Sequence, residues 1–530
     1  MLKKFFLGED NKFNISVNAV ILFLITFIGA SLNLNYGHEC INDDYCLYIG
    51  QAAALVNGSL DSFIKDNAYI TSHSWMGMSQ VVASWGFPLM LAAVMKLGGG
   101  FMQFKMIGVV SLCFCVILVY LLSLRRSNRW TAFTAAMFVA LSAELIVDTS
   151  NKVLSDIPYC MFALLGLYIV DLLGSAPTIK HEYIYATLLG ICAACASEVR
   201  SNGHFIILTF ACLALVALLS DKYRCFGCFK NPQWNVHLGP SAVAIAVYVM
   251  CLSVIRVTLP SNFGSFHMFS KFSISSVSFF CEQNFWAMKQ TLFQSVDGVA
   301  SYLIYAAFMY LVLYGYVYVF RKNSSLFIYC VTSFALYMVW QYFEGARYLY
   351  SVMLALLPVA ASGFNEMREH RSRYCRVIAM GAWAVIGFYF LWIAGDCYQN
   401  VIVNHRECDH GPLTADSIDI HQYIRANTSK TDIFFYEKPR ILYLFTERLG
   451  FMPKVPPNEP ESVSCIPLAN YVMTSRYLPG SCLLERDIEA NIVNAYLEKK
   501  YNCTLKQCYR NASYKIWKVV PVANSQNSAH

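Results

Sequence analysis

Charge is scarce in this chain. Asp, Glu, Lys and Arg together make up 14% of its 530 residues, against about 25% in soluble domains. A water-soluble fold could not clothe itself with so few charges while 57% of the residues are hydrophobic. Internal repeats and low-complexity tracts are also missing, which counts against a transporter built from repeated halves. No small-residue cleavage site follows the N-terminal apolar stretch, so a retained signal-anchor helix is expected rather than a cleaved signal peptide. Metal-ligand spacing is lacking too. Cys225 and Cys228 form an isolated pair in "CFGC" with no second pair nearby, and a structural zinc site needs four ligands. Nothing in the sequence suggests nucleic-acid binding; the net charge of +7 comes from short basic clusters that read as topology signals.

What is abundant is apolar sequence in long runs. The mean hydropathy is +0.44, and apolar segments lie near 15–34, 103–124, 130–147, 156–174, 181–197, 203–220, 239–259, 297–320, 325–342, 347–364 and 376–396. Each approaches the roughly 20 residues that cross a bilayer core. The fold class expected is therefore an α-helical polytopic membrane protein of about eleven transmembrane helices. The segment 86–98, "GFPLMLAAVMKLG", is too short to span and reads as a helix along the membrane surface.

Loop charges test this assignment, because basic residues stay on the cytoplasmic side. Lys3, Lys4 and Lys12 precede the first span, and Arg125, Arg126 and Arg129 follow the second. Lys222, Arg224 and Lys230 follow the sixth, Arg321 and Lys322 the eighth, and Arg368, Arg371, Arg373 and Arg376 the tenth. All fall on one side, the side of the N-terminus. Counting 86–98 as a span would flip every later basic loop to the outer side. The expected topology has a cytoplasmic N-terminus, residues 1–396 as the membrane domain with a large outer loop at 35–102, and residues 397–530 as a small extracytoplasmic α/β domain. Within that tail, "DIFFY", "ANYVMTS" and "SYKIWKVV" read as strands. Its six cysteines, Cys397, Cys408, Cys465, Cys482, Cys503 and Cys508, lie where disulfides are able to form.

Ionisable residues at span ends are the candidates for chemistry, because charge near the membrane is costly and is kept where it works. On this topology Asp43 and Asp44, Asp148, Asp156, Glu198 and Arg200, and Glu344 and Arg347 all face the outer side. Each also has a plainer reading. Asp43 and Asp44 would suit a solvated loop, Asp148 a solvated loop end, and Asp156 a helix cap beside Ser155. Arg200 and Arg347 would suit snorkelling at the interface, and Glu198 a simple pair with Arg200. His73, in "ITSHSWMGMSQ", would suit an ordinary loop.

Taken in order, these segments resemble the GT-C membrane glycosyltransferases, in particular the protein O-mannosyltransferase and aminoarabinose transferase group, family 39. Asp44-x-x-x-Tyr48-x-x-x-Ala52 followed by "LVNG" resembles the acidic first-loop motif. "SWGFPLMLAAVMKLGG" is similar to the juxtamembrane helix, and "RRSNRWTAFTAAMFVALSAELI" to the arginine turn and third span. "LSDIPYCMFALLGLYI", with Ser155-Asp156-x-Pro158, resembles the second acidic motif; "EVRSNGHFIIL" and "ARYLYSVMLALLP" resemble later landmarks. The lysine-proline motif of the aminoarabinose subgroup is missing around His73.

The resemblance implies an enzyme that moves a sugar from a polyprenyl-phosphate carrier in the bilayer to a protein, lipid or glycan acceptor. It implies Asp44 as general base, with Asp43 as its substitute because the register is not fixed to one residue. Asp156 would position the acceptor or the first loop, and Arg347, then Arg200, would bind the donor phosphate. His73 and Glu198 are candidates for contacts to the acceptor or the loop. No resident metal or other cofactor is implied with certainty, although the acidic residues could hold a divalent cation. Two alternatives remain open from the residues alone: a secondary transporter, and an inactive relative serving as a scaffold.

Overall fold

A computed structural model describes residues 12–34, 44–74, 80–222, 237–260, 282–289, 299–339, 345–399, 411–452 and 463–522. Asp43, Glu344, the "CFGC" loop, Cys40 and Cys408 lie outside these residues. Each of the eleven expected spans forms helix, from α1 (Lys12–Leu32) to α15 (Arg373–Tyr398). Among the described residues, seven helices are long and apolar enough to cross a membrane, or eight if a bent pair is taken as one span. The bent pair corrects the expected third span. The chain breaks between α6 (Arg129–Ala140) and α7 (Ala143–Asn151), where Ser142 takes an extended backbone, and the two halves meet at 48°.

Before the bundle proper come α2 (Asp44–Asn57), α3 (Leu60–His73) and α4 (Gly86–Lys96). The last is the short apolar helix expected at 86–98. The bundle continues through α5 (Phe101–Leu124), α8 (Asp156–Gly174), α9 (Ile179–Val199), α10 (His204–Lys222), α11 (Leu238–Thr258), α12 (Val299–Tyr318), α13 (Phe320–Val339) and α14 (Tyr350–Glu369). At its centre is α14, buried along almost its whole length and packed against α5, α6, α8, α12, α13 and α15. Close approach explains one glycine: a Cβ at Gly363 would lie 2.1 Å from the Leu311 carbonyl oxygen of α12. Small residues of this kind let apolar helices pack without a hydrophobic drive between them.

Opposite the site end, Arg126 is buried and ion-paired to Asp171 at 2.6 Å, and it also bonds Asn323 and Ser325. This ties α5, α8 and α13 together by a charge whose hydrogen bonds are met.

The tail forms a five-stranded sheet in the order β2-β1-β3-β5-β4. The strands are β1 (Ile433–Phe435), β2 (Leu449–Phe451), β3 (Tyr471–Ser475), β4 (Cys503–Arg510) and β5 (Tyr514–Pro521). The first three pair parallel, and β5 runs antiparallel to both β3 and β4. Alternation places Phe435, Val472 and Trp517 in one apolar cluster and Phe434, Met473 and Ile516 in the other, the period-two pattern of a sheet covered on both faces. Helices α16 (Ala415–Asn427), α17 (Pro439–Thr446), α18 (Pro479–Glu489) and α19 (Ile492–Tyr501) provide the cover. Cys465, Cys482, Cys503 and Cys508 are unbridged thiols.

The tail sits directly on the helices of the first loop. Arg440 of α17 donates to Asn67 Oδ1 at 3.2 Å and to the Gln80 carbonyl at 2.9 Å. Tyr443 donates to Asp66 Oδ2 at 2.7 Å, and the Phe445 ring stacks on Phe101 at the start of α5.

Candidate active site

Asp44 is the first residue of α2, where the helix dipole favours a carboxylate. One turn on, Tyr48 lies on the same face. That spacing is the motif read in the sequence; Asp44 reaches the turn before α14 and Tyr48 the residue before α8. Asp44 Oδ2 is 3.4 Å from Arg347 Nη2, and the Tyr48 hydroxyl is 3.3 Å from Ser155 Oγ. Burial, followed by the negative charge of Asp44, pushes the Tyr48 phenol up to about 12, so it works as a neutral hydroxyl.

Asp156 opens α8 and is the hub of the cluster. Its Oδ1 is 2.6 Å from Arg200 Nη1 and its Oδ2 is 3.1 Å from Arg347 Nη2. Arg200 follows the last turn of α9, and its guanidinium also covers the Tyr348 ring, 5.0 Å from the centroid. Arg347 lies in the 3-10 turn Gly345–Leu349 that leads into α14. Four residues from four distant parts of the sequence thus form one chain, Asp44–Arg347–Asp156–Arg200. Its members differ in exposure. The Asp156 side chain is 4% exposed and the Asp44 side chain 35%, so Asp156 is the internal strut and Asp44 the end that faces water.

Several plainer readings are corrected by these contacts. Arg200 and Arg347 do not snorkel; both hold carboxylates. Asp156 is the first residue of α8, with its carboxylate committed to the two arginines. Glu198 does not pair with Arg200. Its Oε2 accepts the Trp85 backbone N–H at 3.4 Å, which fixes the start of α4. There Gly86 is required, since a Cβ would lie 2.7 Å from the backbone of Glu198 and Val199. His73 is exposed at the end of α3, stacked on Tyr69 and bonded to Ser72 and the Tyr69 carbonyl. None of these contacts joins it to the cluster.

Asp148 is not a solvated loop end. Its carboxylate accepts the Tyr350 hydroxyl at 2.6 Å and pairs with Lys152 Nζ at 2.5 Å. Lys152 and Tyr350 were missed in the sequence, although a signal was there: Glu144, Asp148, Lys152 and Asp156 recur every fourth residue. Among the described residues no group of three or more His, Cys, Asp or Glu side chains is placed to hold a metal ion.

With this geometry in view, similarity to known proteins can be weighed. Residues 101–270 match the model of the dolichyl-phosphate-mannose-protein mannosyltransferase family. That segment contains Asp148, Lys152, Asp156, Glu198 and Arg200 but neither Asp44 nor Arg347. No curated protein matches the chain by sequence. Solved structures do match by fold. ArnT from Cupriavidus metallidurans bound to undecaprenyl phosphate superposes with a TM-score of 0.54 at 12% identity, covering 95% of this chain and 97% of that one. The oligosaccharyltransferase AglB from Archaeoglobus fulgidus, in complex with an inhibitory peptide and a dolichol-phosphate, superposes at 0.55 and 11% identity, covering 98% of this chain and 75% of that one. The resemblance to the GT-C glycosyltransferases read from the sequence is borne out by the family match and the shared fold. What the comparisons define is a fold shared with these solved proteins and a family match over residues 101–270.

Proposed function

We propose that this protein transfers a sugar from a polyprenyl-phosphate donor to an acceptor on the outer side of the membrane. The observation that carries the reading is the Asp44–Arg347–Asp156–Arg200 chain at helix ends. It sets a water-facing carboxylate beside a guanidinium at helix ends, which supports a site for a lipid phosphate. The similarity to structures solved with dolichol-phosphate and undecaprenyl phosphate supports this donor. The loop charges support a cytoplasmic N-terminus and an outer tail, with residues 1–396 as the membrane domain and 397–530 as the outer one.

In this reading Asp44 takes the acceptor's proton as general base. The freed electron pair attacks the anomeric carbon, and the bond from that carbon to the phosphate oxygen breaks. The lipid phosphate leaves with the bonding pair. Arg347 receives that charge through its N–H donors. The neighbouring carboxylates stabilise the positive character that builds on the sugar. Asp156 and Arg200 act on Arg347, holding its plane in place. Asp43 is the substitute base, and the acceptor is a protein, lipid or glycan.

The test is transfer of sugar in membranes supplied with lipid-linked donor, comparing the wild type with Asp44→Asn and with an Asp43→Asn, Asp44→Asn double variant. Loss of a positioned general base costs about 10²–10⁴ in rate. Full transfer by the double variant would overturn the mechanism, and solute uptake by vesicles without any transfer would turn the reading towards a transporter.

A further inference from the structure

We infer that Lys152 is a third phosphate-binding cation of this site, parked on Asp148 until the leaving group departs. The inference rests on the donor reading above and asks what that site needs beyond its two arginines.

Charge sets the need. Arg347 and Arg200 face Asp44 and Asp156, two positive groups against two negative ones. A sugar phosphodiester brings one negative charge, and the lipid monophosphate it leaves behind carries up to two. A neutral site accommodates the donor more readily than the product. Asp44 holds the acceptor's proton as the bond breaks and, facing water, gives it up afterwards; the dianion then sits in a neutral site, and that charge calls for a further cation.

Lys152 is placed for this. It lies between α7 and α8, four residues before Asp156. Its partner Asp148 is also held by Tyr350, three residues on from Arg347. Its side chain is 32% exposed, whereas that of Arg347 is 12% exposed, so it has room to move. Burial disfavours its charge and the Asp148 carboxylate more than offsets this, with Arg347 opposing; the net effect raises its pKa, and it is cationic at any working pH. Asp148 has a second partner in Tyr350, whose hydroxyl continues to satisfy it when Lys152 swings away. An ammonium on a flexible stem suits this task better than a second planar guanidinium.

The experiment measures product inhibition of transfer by a short-chain polyprenyl phosphate, with the matching polyprenyl alcohol as control, in the full-length protein. Charge-assisted hydrogen bonds of this kind contribute on the order of tenfold to a hundredfold in affinity. Lys152→Met should weaken inhibition by that factor with a much smaller rise in donor KM, and Lys152→Arg should recover most of it. Asp148→Asn, which frees the ammonium, should leave inhibition as strong or stronger. If Lys152 merely braces Asp148, the Met and Asn variants would lose donor, product and acceptor affinity alike, and that result would overturn the inference. Unchanged inhibition in Lys152→Met would do the same. If the polyprenyl phosphate fails to inhibit even the wild type, the donor reading itself falls and the inference falls with it.

Discussion

Asp44 and Asp156 touch the same guanidinium, yet their replacement by asparagine should have opposite signatures. Asp156 is nearly inaccessible and holds two arginines at 2.6 and 3.1 Å. Removing its charge leaves Arg200 and Arg347, with side chains 15% and 12% exposed, facing each other without their shared counter-ion. Breaking a buried pair in this way costs about 3–5 kcal/mol. Asp44 is one-third exposed, its contact is the long one at 3.4 Å, and Arg347 retains Asp156 when it is lost. Its contribution to stability should be that of a surface pair, about 0–1 kcal/mol. The assay is the thermal unfolding midpoint of the purified protein in detergent, read beside sugar transfer. Asp44→Asn should unfold near the wild-type temperature and be inactive; Asp156→Asn should be both inactive and markedly less stable. Equal destabilisation by the two variants, or full transfer by the Asp43→Asn, Asp44→Asn double variant, would refute the division into strut and base.

Two further outcomes follow from the structure. Gly86→Ala forces a Cβ into the backbone at Glu198 and Val199; overpacking of this kind costs about 1–3 kcal/mol, so the unfolding midpoint should drop and the Met variant of a nearby exposed residue, Leu89→Met, should not reproduce it. His421 stacks on Phe445 in the tail, and burial, followed by the charge of Arg425, lowers its pKa to about 4. The unfolded chain binds a proton near the ordinary histidine value of about 6.5 and the folded chain does not. Stability contributed here is present above about 6.5 and is lost as pH falls towards 4, by roughly 3 kcal/mol at about 1.4 kcal/mol per unit. Acid titration of the unfolding midpoint should show a shallower loss over that window in His421→Gln.

The helices were legible because apolar runs of fixed length are a one-dimensional signal. Asp44 and Tyr48 were legible because a four-residue step in a helix is a shared face. The pairing of Arg200 was not: Glu198, two residues away in sequence, points along α9 to Trp85, while Asp156, 44 residues away, lies against Arg200. Nearness along the chain misleads where a helix ends and the backbone turns extended. In the tail, β1, β3 and β5 were visible as apolar or aromatic runs. The hairpin partner β4 was overlooked because "CTLKQCYR" is an edge strand with polar residues on its open side, and β2 because its "LGF" centres on a glycine and lacks the aromatic run that marks β1 in "DIFFY".

Arg347 reaches Asp44 across 303 positions, and Arg440 reaches Asn67 across 373. The order of synthesis therefore matters. When the helix carrying Asp44 emerges from the ribosome, neither its guanidinium partner nor the tail that rests on its neighbours has been made. A chain interrupted between α9 and the turn that precedes α14 has Asp44, Asp156 and Arg200 but no Arg347 to join them. The cluster closes only in about the last third of translation, so a truncated product inserted in the bilayer lacks the joined charges on which the proposed transfer relies.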